Sequence, residues 1–170
     1  MKALTGILCG ILVIAGGSVA SARPTGDERA LVGVTWSGGE PEEVAGYESY
    51  GGSYVGDPLA VSLFRSTSNP RDWIVVSKRE VGRDGQHALW RGLDTIRLNA
   101  ASEETFAAFE CRRGAATGEF SAEAGLIGFV GRTEAAPGLL RAEQAVQVGA
   151  DGQLSRVSGP VICADEAAGI

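Results

Sequence analysis

The sequence predicts a mainly β domain: an antiparallel sheet, sandwich or barrel-like arrangement with one disulfide and room for one short helix. Three observations carry that expectation. Glycine is abundant, at 25 of 170 residues, but follows no G-X-Y period, so it marks turns and not a collagen helix. Between the glycines lie short runs rich in β-branched and aromatic residues. Two cysteines, Cys111 and Cys163, remain once the first 22 residues are set aside.

Those residues are set aside because they read as a leader. "MKALTGILCGILVIAGGSVASA" has a basic Lys2, an uncharged apolar run and an Ala20-Ser21-Ala22 cleavage pattern before Arg23, the layout of a secretory signal peptide. Ala3 to Ala22 is also just long enough to anchor in a membrane, but Gly16, Gly17, Ser18 and Ser21 weaken its end and favour cleavage. Lipidation of Cys9 is disfavoured by the bulky Leu8 before it. The expected organisation is a signal peptide at 1–22 and a single exported β-rich domain at 23–170. That domain would be periplasmic, cell-surface or secreted, with no stable membrane insertion after cleavage. Removing Lys2 with the leader leaves 14 basic residues against 21 acidic, a net charge of −7. Such a surface repels phosphate backbones and anionic lipid heads, which argues against nucleic acid as a partner.

The strand candidates follow in order. They are "RALVGVTWS" (29–37), "LAVSLFRS" (59–66), "WIVVSKREV" (73–81), "ALWRGLDTIRLN" (88–99), "LIGFVGRT" (126–133), "LRAEQAVQV" (140–148) and "QLSRVSGPVIC" (153–163). Ile96 and Leu98 alternate with polar neighbours, as on a half-buried strand. "WIVV" does not alternate and belongs in mid-sheet, buried on both faces. "VGRDGQ" (81–86) and "VGADGQ" (148–153) predict hairpins, with Asp84-Gly85 and Asp151-Gly152 suited to type I′ turns. Asp84 and Asp151 lack the carboxylate spacing of a calcium loop. Residues 102–113 are ambiguous. Ser102 as N-cap, Glu103, Glu104 and Gly114 suit a helix; Thr105, Ala107, Phe109 and Cys111 share one face of a strand. The β context favours an extended segment from about Thr105.

In an oxidising compartment the even pair Cys111 and Cys163 forms a disulfide, worth about 4 kcal/mol for a loop of roughly fifty residues in the chain-entropy model. The competing reading makes Cys111 a thiolate activated by Arg112 and Arg113; Glu110 offsets it, and no C-x-x-C is present.

Chemistry-bearing patterns are sparse. The one histidine, His87, would have to serve any Ser-His-Asp triad. "GGSYVG" around Ser53 misses the G-x-S-x-G spacing of a nucleophile elbow. A zinc site would need His87 with both cysteines. No catalytic residue, metal site or cofactor is therefore assigned. The stretch "SGGEPEEVAGYESYGGSYVGDP" (37–58) holds all three tyrosines, Tyr47, Tyr50 and Tyr54, and Tyr with Ser and Gly is the chemistry of adaptable binding loops. Trp36, Trp73, Trp90 and the phenylalanines read as core.

The acidic-Cys-basic run Glu110-Cys111-Arg112-Arg113, the turn at Asp151-Gly152 and Val161-Ile162-Cys163 resemble small exported bacterial domains of the surface-adhesin protein E type, over roughly Trp73 to Cys163. The chain departs from them in "AEQAVQV", where a tryptophan is expected, and in its Tyr-Gly stretch. The resemblance implies a disulfide-pinned sheet and a surface or periplasmic binding role, with no partner and no catalytic residue carried over. The expected function is an exported, non-catalytic binding or envelope protein whose partner is a protein or small molecule. The alternatives are a carrier of small apolar ligands with a lipocalin-like barrel among Trp36, Trp73 and Trp90, and a hydrolase using His87.

Overall fold

Trp73, Ile74, Val75 and Val76 have no exposed surface, as their unbroken apolar run requires. A computed structural model describes residues 28–38, 41 and 44–165; the expected signal peptide and its cleavage point lie outside them. The run lies in β4 (Asp72–Asp84), the central strand of a five-stranded antiparallel sheet. Its companions are β1 (Thr35–Ser37), β2 (Tyr47–Gly56), β3 (Leu59–Ser66) and β5 (His87–Asn99), in the order β1-β5-β4-β3-β2. Trp73 and Val75 face a second sheet, while Ile74 and Val76 face the opposite side with Phe64 and Trp90.

The second sheet contains β6 (Phe106–Ala108), β7 (Cys111–Arg113), β8 (Leu126–Ala136), β9 (Leu139–Val148), β10 (Leu154–Arg156) and β11 (Val161–Ala164). Its order is β6-β8-β9-β11-β7, with β10 on the C-terminal part of β9. The two sheets meet through Val61, Trp73 and Val75 on one side and Ile127, Phe129 and Val146 on the other. β6 and β7 lie at opposite edges, yet only Phe109 and Glu110 separate them in the chain. The sheet must therefore curl to bring its edges near each other, enclosing Leu126, Val130, Leu140 and Val161. No ladder joins β6 to β7, so the two antiparallel sheets do not close into a barrel. Among the described residues, no helix is long and apolar enough to cross a membrane.

Several local expectations are corrected. Residues 29–37 are not one strand: a 3₁₀ turn, Glu28–Leu31, precedes the short β1. Gly33, at φ +80°, makes the break, and its N–H donates to the Gly92 carbonyl at 2.9 Å. The Leu31 carbonyl approaches Gly92 so closely that a Cβ there would overlap it. Residues 102–113 contain no helix; they form a turn and then β6 and β7, as the extended reading expected. Residues 153–163 divide into β10 and β11, with Pro160, which has no N–H to give a ladder, between them.

Both expected hairpins form, but neither turn is type I′. Asp84 and Asp151 have negative φ, and positive φ falls on Gly85 and Gly152. In the first, Asp84 pairs with His87 across Gly85-Gln86, with glycine at the first central position as in a type II′ turn.

The largest correction is β2. The Tyr-Gly stretch is not a free loop over Tyr47–Gly56; it is a strand paired with β3. Its register shifts between Ser49 and Gly51 and between Tyr54 and Gly56. Gly51 and Gly56 take φ of +117° and +144° at those bulges, conformations that side-chain-bearing residues rarely adopt. These glycines are what let the strand bend along its neighbour.

Candidate functional site

Cys111 and Cys163 are joined in a disulfide between directly opposed residues of β7 and β11. Both are fully buried, so the activated-thiol reading has no thiol to act on. The flanking arginines work elsewhere. Arg112 donates to the carbonyls of Ala115 and Thr117 at 2.9 and 2.7 Å. Arg113 pairs with Glu123 at 2.6 Å and donates to the Gln147 side chain at 2.8 Å. Together they brace the connection from β7 to β8.

The three tyrosines do not form one surface. Tyr47 donates from its hydroxyl to Asp72 Oδ2 at 2.6 Å, and Arg97 binds the same carboxylate, Nε to Oδ1 at 2.7 Å. This group ties β2, β4 and β5 together. Tyr50, beside the first bulge, meets Trp73 edge-on at 4.6 Å between ring centroids. Tyr54 pairs with Ala60 and leans on Trp90, centroids 5.6 Å apart and planes at 58°. Tyr47 is thus engaged in packing, Tyr50 packs on Trp73 while keeping 43% of its surface exposed, and Tyr54, at 66% exposure, is the most open ring of the three.

The Tyr47–Asp72–Arg97 group makes a pH prediction. The hydrogen bond from Arg97, with that from Tyr47, holds the Asp72 carboxyl below its ordinary 3.8 against the opposing effect of burial. A carboxyl with a lower pKa folded than unfolded stabilises the fold above the unfolded value. That contribution is lost as pH falls through the folded one. Asp72→Asn is expected to lower stability at neutral pH and to flatten the fall of stability below about pH 4, read by urea unfolding across pH. An acid limb as steep as wild type would remove Asp72 from the account.

Tyr54 borders a cleft of about 440 Å³ on the outer face of the first sheet. Ala60 and Trp90 line its apolar part, and Ser53, Lys78, Glu80, Arg83, Gln86 and His87 are its polar lining. The β4–β5 hairpin supplies all of these polar groups but Ser53. Lys78, 4% exposed, places its ammonium 4.9 Å from the Trp90 ring centroid, in cation–π range. Arg83 and Glu80 approach to 3.6 Å. On its other side Tyr54 borders a second, mostly apolar groove of about 280 Å³ with Val55, Phe109 and Leu126.

His87 and Ser53 both line the larger cleft, but no hydrogen bond joins them, and Ser53 Oγ donates to the Tyr54 carbonyl at 3.2 Å. His87 is far from any cysteine ligand set, because both sulfurs are bonded to each other inside the second sheet. The sequence pointed to Tyr54 by its company of Ser and Gly. Trp90 and the hairpin residues were missed as a site because only strand pairing brings residues 54, 60, 78 and 90 together. No protein-family model, curated protein or solved structure matches this chain.

Proposed function

We propose that the protein is an exported, non-catalytic binding protein that takes its ligand in the cleft beside Tyr54. The observation that carries this is the most exposed of the three tyrosine rings, set at the edge of a concave surface lined by polar groups. The resemblance to surface-adhesin protein E-type domains points to the same class, an exported sheet with a binding role. The carrier alternative is less well supported. The space between the sheets is filled by Trp73 and Phe129, whose rings meet at 5.5 Å, and a lipocalin-type carrier needs that space empty. The hydrolase alternative lacks a base in contact with a nucleophile, since His87 and Ser53 are not bonded.

Two measurements test the proposal. Protein exported from a bacterial host is expected to begin at Arg23 and to weigh two hydrogens less than the reduced chain. A chain retaining Met1 would overturn cleavage and mean that residues 3–22 stay as a membrane anchor. A fragment screen mixing small aromatic, polyol and carboxylate compounds, read by amide shifts of the mature domain, is expected to map onto Tyr54, Trp90 and residues 83–87. Tyr54→Ala should abolish those shifts and leave the fold intact, because the ring is mostly exposed. Shifts centred elsewhere, or none, would refute the site.

A further inference from the structure

We infer that the ligand of this cleft is an oligosaccharide, one sugar ring lying on Tyr54 and its hydroxyls bonding to the β4–β5 hairpin. The inference rests on the cleft being the binding site. The face of an aromatic ring is the negative part of its quadrupole, and the axial C–H bonds of a pyranose present a flat, weakly positive apolar face to it. Tyr54 offers such a surface already positioned. Strand pairing with Ala60 holds its backbone and Trp90 supports its ring, so little side-chain freedom remains to be lost on binding.

The polar lining selects among ligand classes. A hydroxyl both donates and accepts, and the lining offers both functions: the Glu80 carboxylate accepts, Arg83 and Lys78 donate, and Ser53, Gln86 and His87 can do either. A phosphate or carboxylate ligand wants donors alone; it would meet Glu80 as a like charge, with Arg83 already 3.6 Å from that carboxylate and Lys78 already set over the Trp90 ring. A fully apolar ligand would strip water from these groups without replacing their hydrogen bonds. A cationic ligand seeking an aromatic face would find Trp90 already facing this chain's own Lys78 ammonium.

Two further features shape the inference. Tyr54 also walls the apolar groove beside Val55 and Leu126, so a ligand longer than one ring crosses the tyrosine and rests on both sides of it. Among the described residues Glu80 lines the larger cleft and Glu123 the groove, so neither side of Tyr54 carries the pair of carboxylates that glycosidic cleavage by the usual route takes. On the non-catalytic reading proposed above, the saccharide is held and not cut.

The test is calorimetric titration of the mature domain with cellohexaose, maltohexaose, mannohexaose and the hexamer of N-acetylglucosamine. Inorganic phosphate and an acidic tetrapeptide serve as controls. At least one hexasaccharide is expected to bind, about tenfold more weakly to Tyr54→Ala and nearly unchanged to Tyr54→Phe, which keeps the ring. Glu80→Gln should weaken it as well, and no reducing ends should appear on incubation. Binding indifferent to Tyr54→Ala, or no binding by any of the four, overturns the inference. Tyr54-dependent binding of a control alone overturns the ligand class while leaving the cleft as the site. Release of reducing ends overturns the holding role.

Discussion

Gly128→Ala is expected to destabilise the domain by about 1–3 kcal/mol, although it adds one methyl group to a strand with ordinary backbone geometry. Gly128 lies on β8, paired with Ala108 and Ala145, and faces the disulfide. A Cβ there would overlap Cys163 Sγ, stand 2.8 Å from Cys111 Sγ and lie 3.2 Å from the Ala142 Cβ. None of these atoms can swing away, since each sulfur is held by the other and by its own strand. Removing the bridge as Cys111→Ala with Cys163→Ala should cost about 2–5 kcal/mol by itself. The informative quantity is the coupling. In the bridge-free background the new methyl occupies the space the sulfurs leave, so Gly128→Ala should become neutral or stabilising there. Urea unfolding of the four proteins measures it; costs that simply add would mean the strand and the disulfide are not in contact in solution.

Trp73→Ala should be still more damaging, by about 3–5 kcal/mol. Trp73 is fully buried and touches something on every side: Tyr50 at 4.6 Å, Phe129 at 5.5 Å and the Arg65 guanidinium at 5.3 Å from its ring centroid. It joins the bulged strand β2 to the second sheet, so its removal leaves a cavity where the two sheets meet. Trp73→Phe is expected to cost much less. The indole N–H makes no hydrogen bond, so only volume is lost. Chemical unfolding that found the two variants equally damaged would show that Trp73 acts through its N–H and not through packing.

The legible parts of the sequence were those whose local pattern already matched their surroundings. Leu59–Ser66 was read with its observed bounds, and the all-apolar Trp73–Val76 could be placed in mid-sheet before any partner was known. The cysteine pair was legible from number and compartment. Residues 47–56 were illegible as a strand because their order comes from β3 and from two glycine bulges, not from their own propensity. For the same reason the tyrosines were read as one patch. Their separate partners, Asp72, Trp73 and Trp90, are set by register, and one bulge between Tyr47 and Tyr54 places Tyr50 on the opposite face from both. The cleft could not be read because Tyr54 comes from the β2–β3 hairpin, whereas Trp90 and most of the polar rim come from the β4–β5 hairpin.

The sheet borders have a consequence for how the molecule tolerates crowding. β1, β6 and β7 are three residues each, and the one long border strand, β2, is interrupted twice in ten residues. A neighbouring copy approaching any border therefore meets only a few consecutive backbone groups before the line ends or bends. Strand-by-strand growth into fibrils, a common hazard of a protein made mainly of sheet, finds no long uninterrupted template along these four strands. The same glycines that shape β2 also interrupt its outer edge.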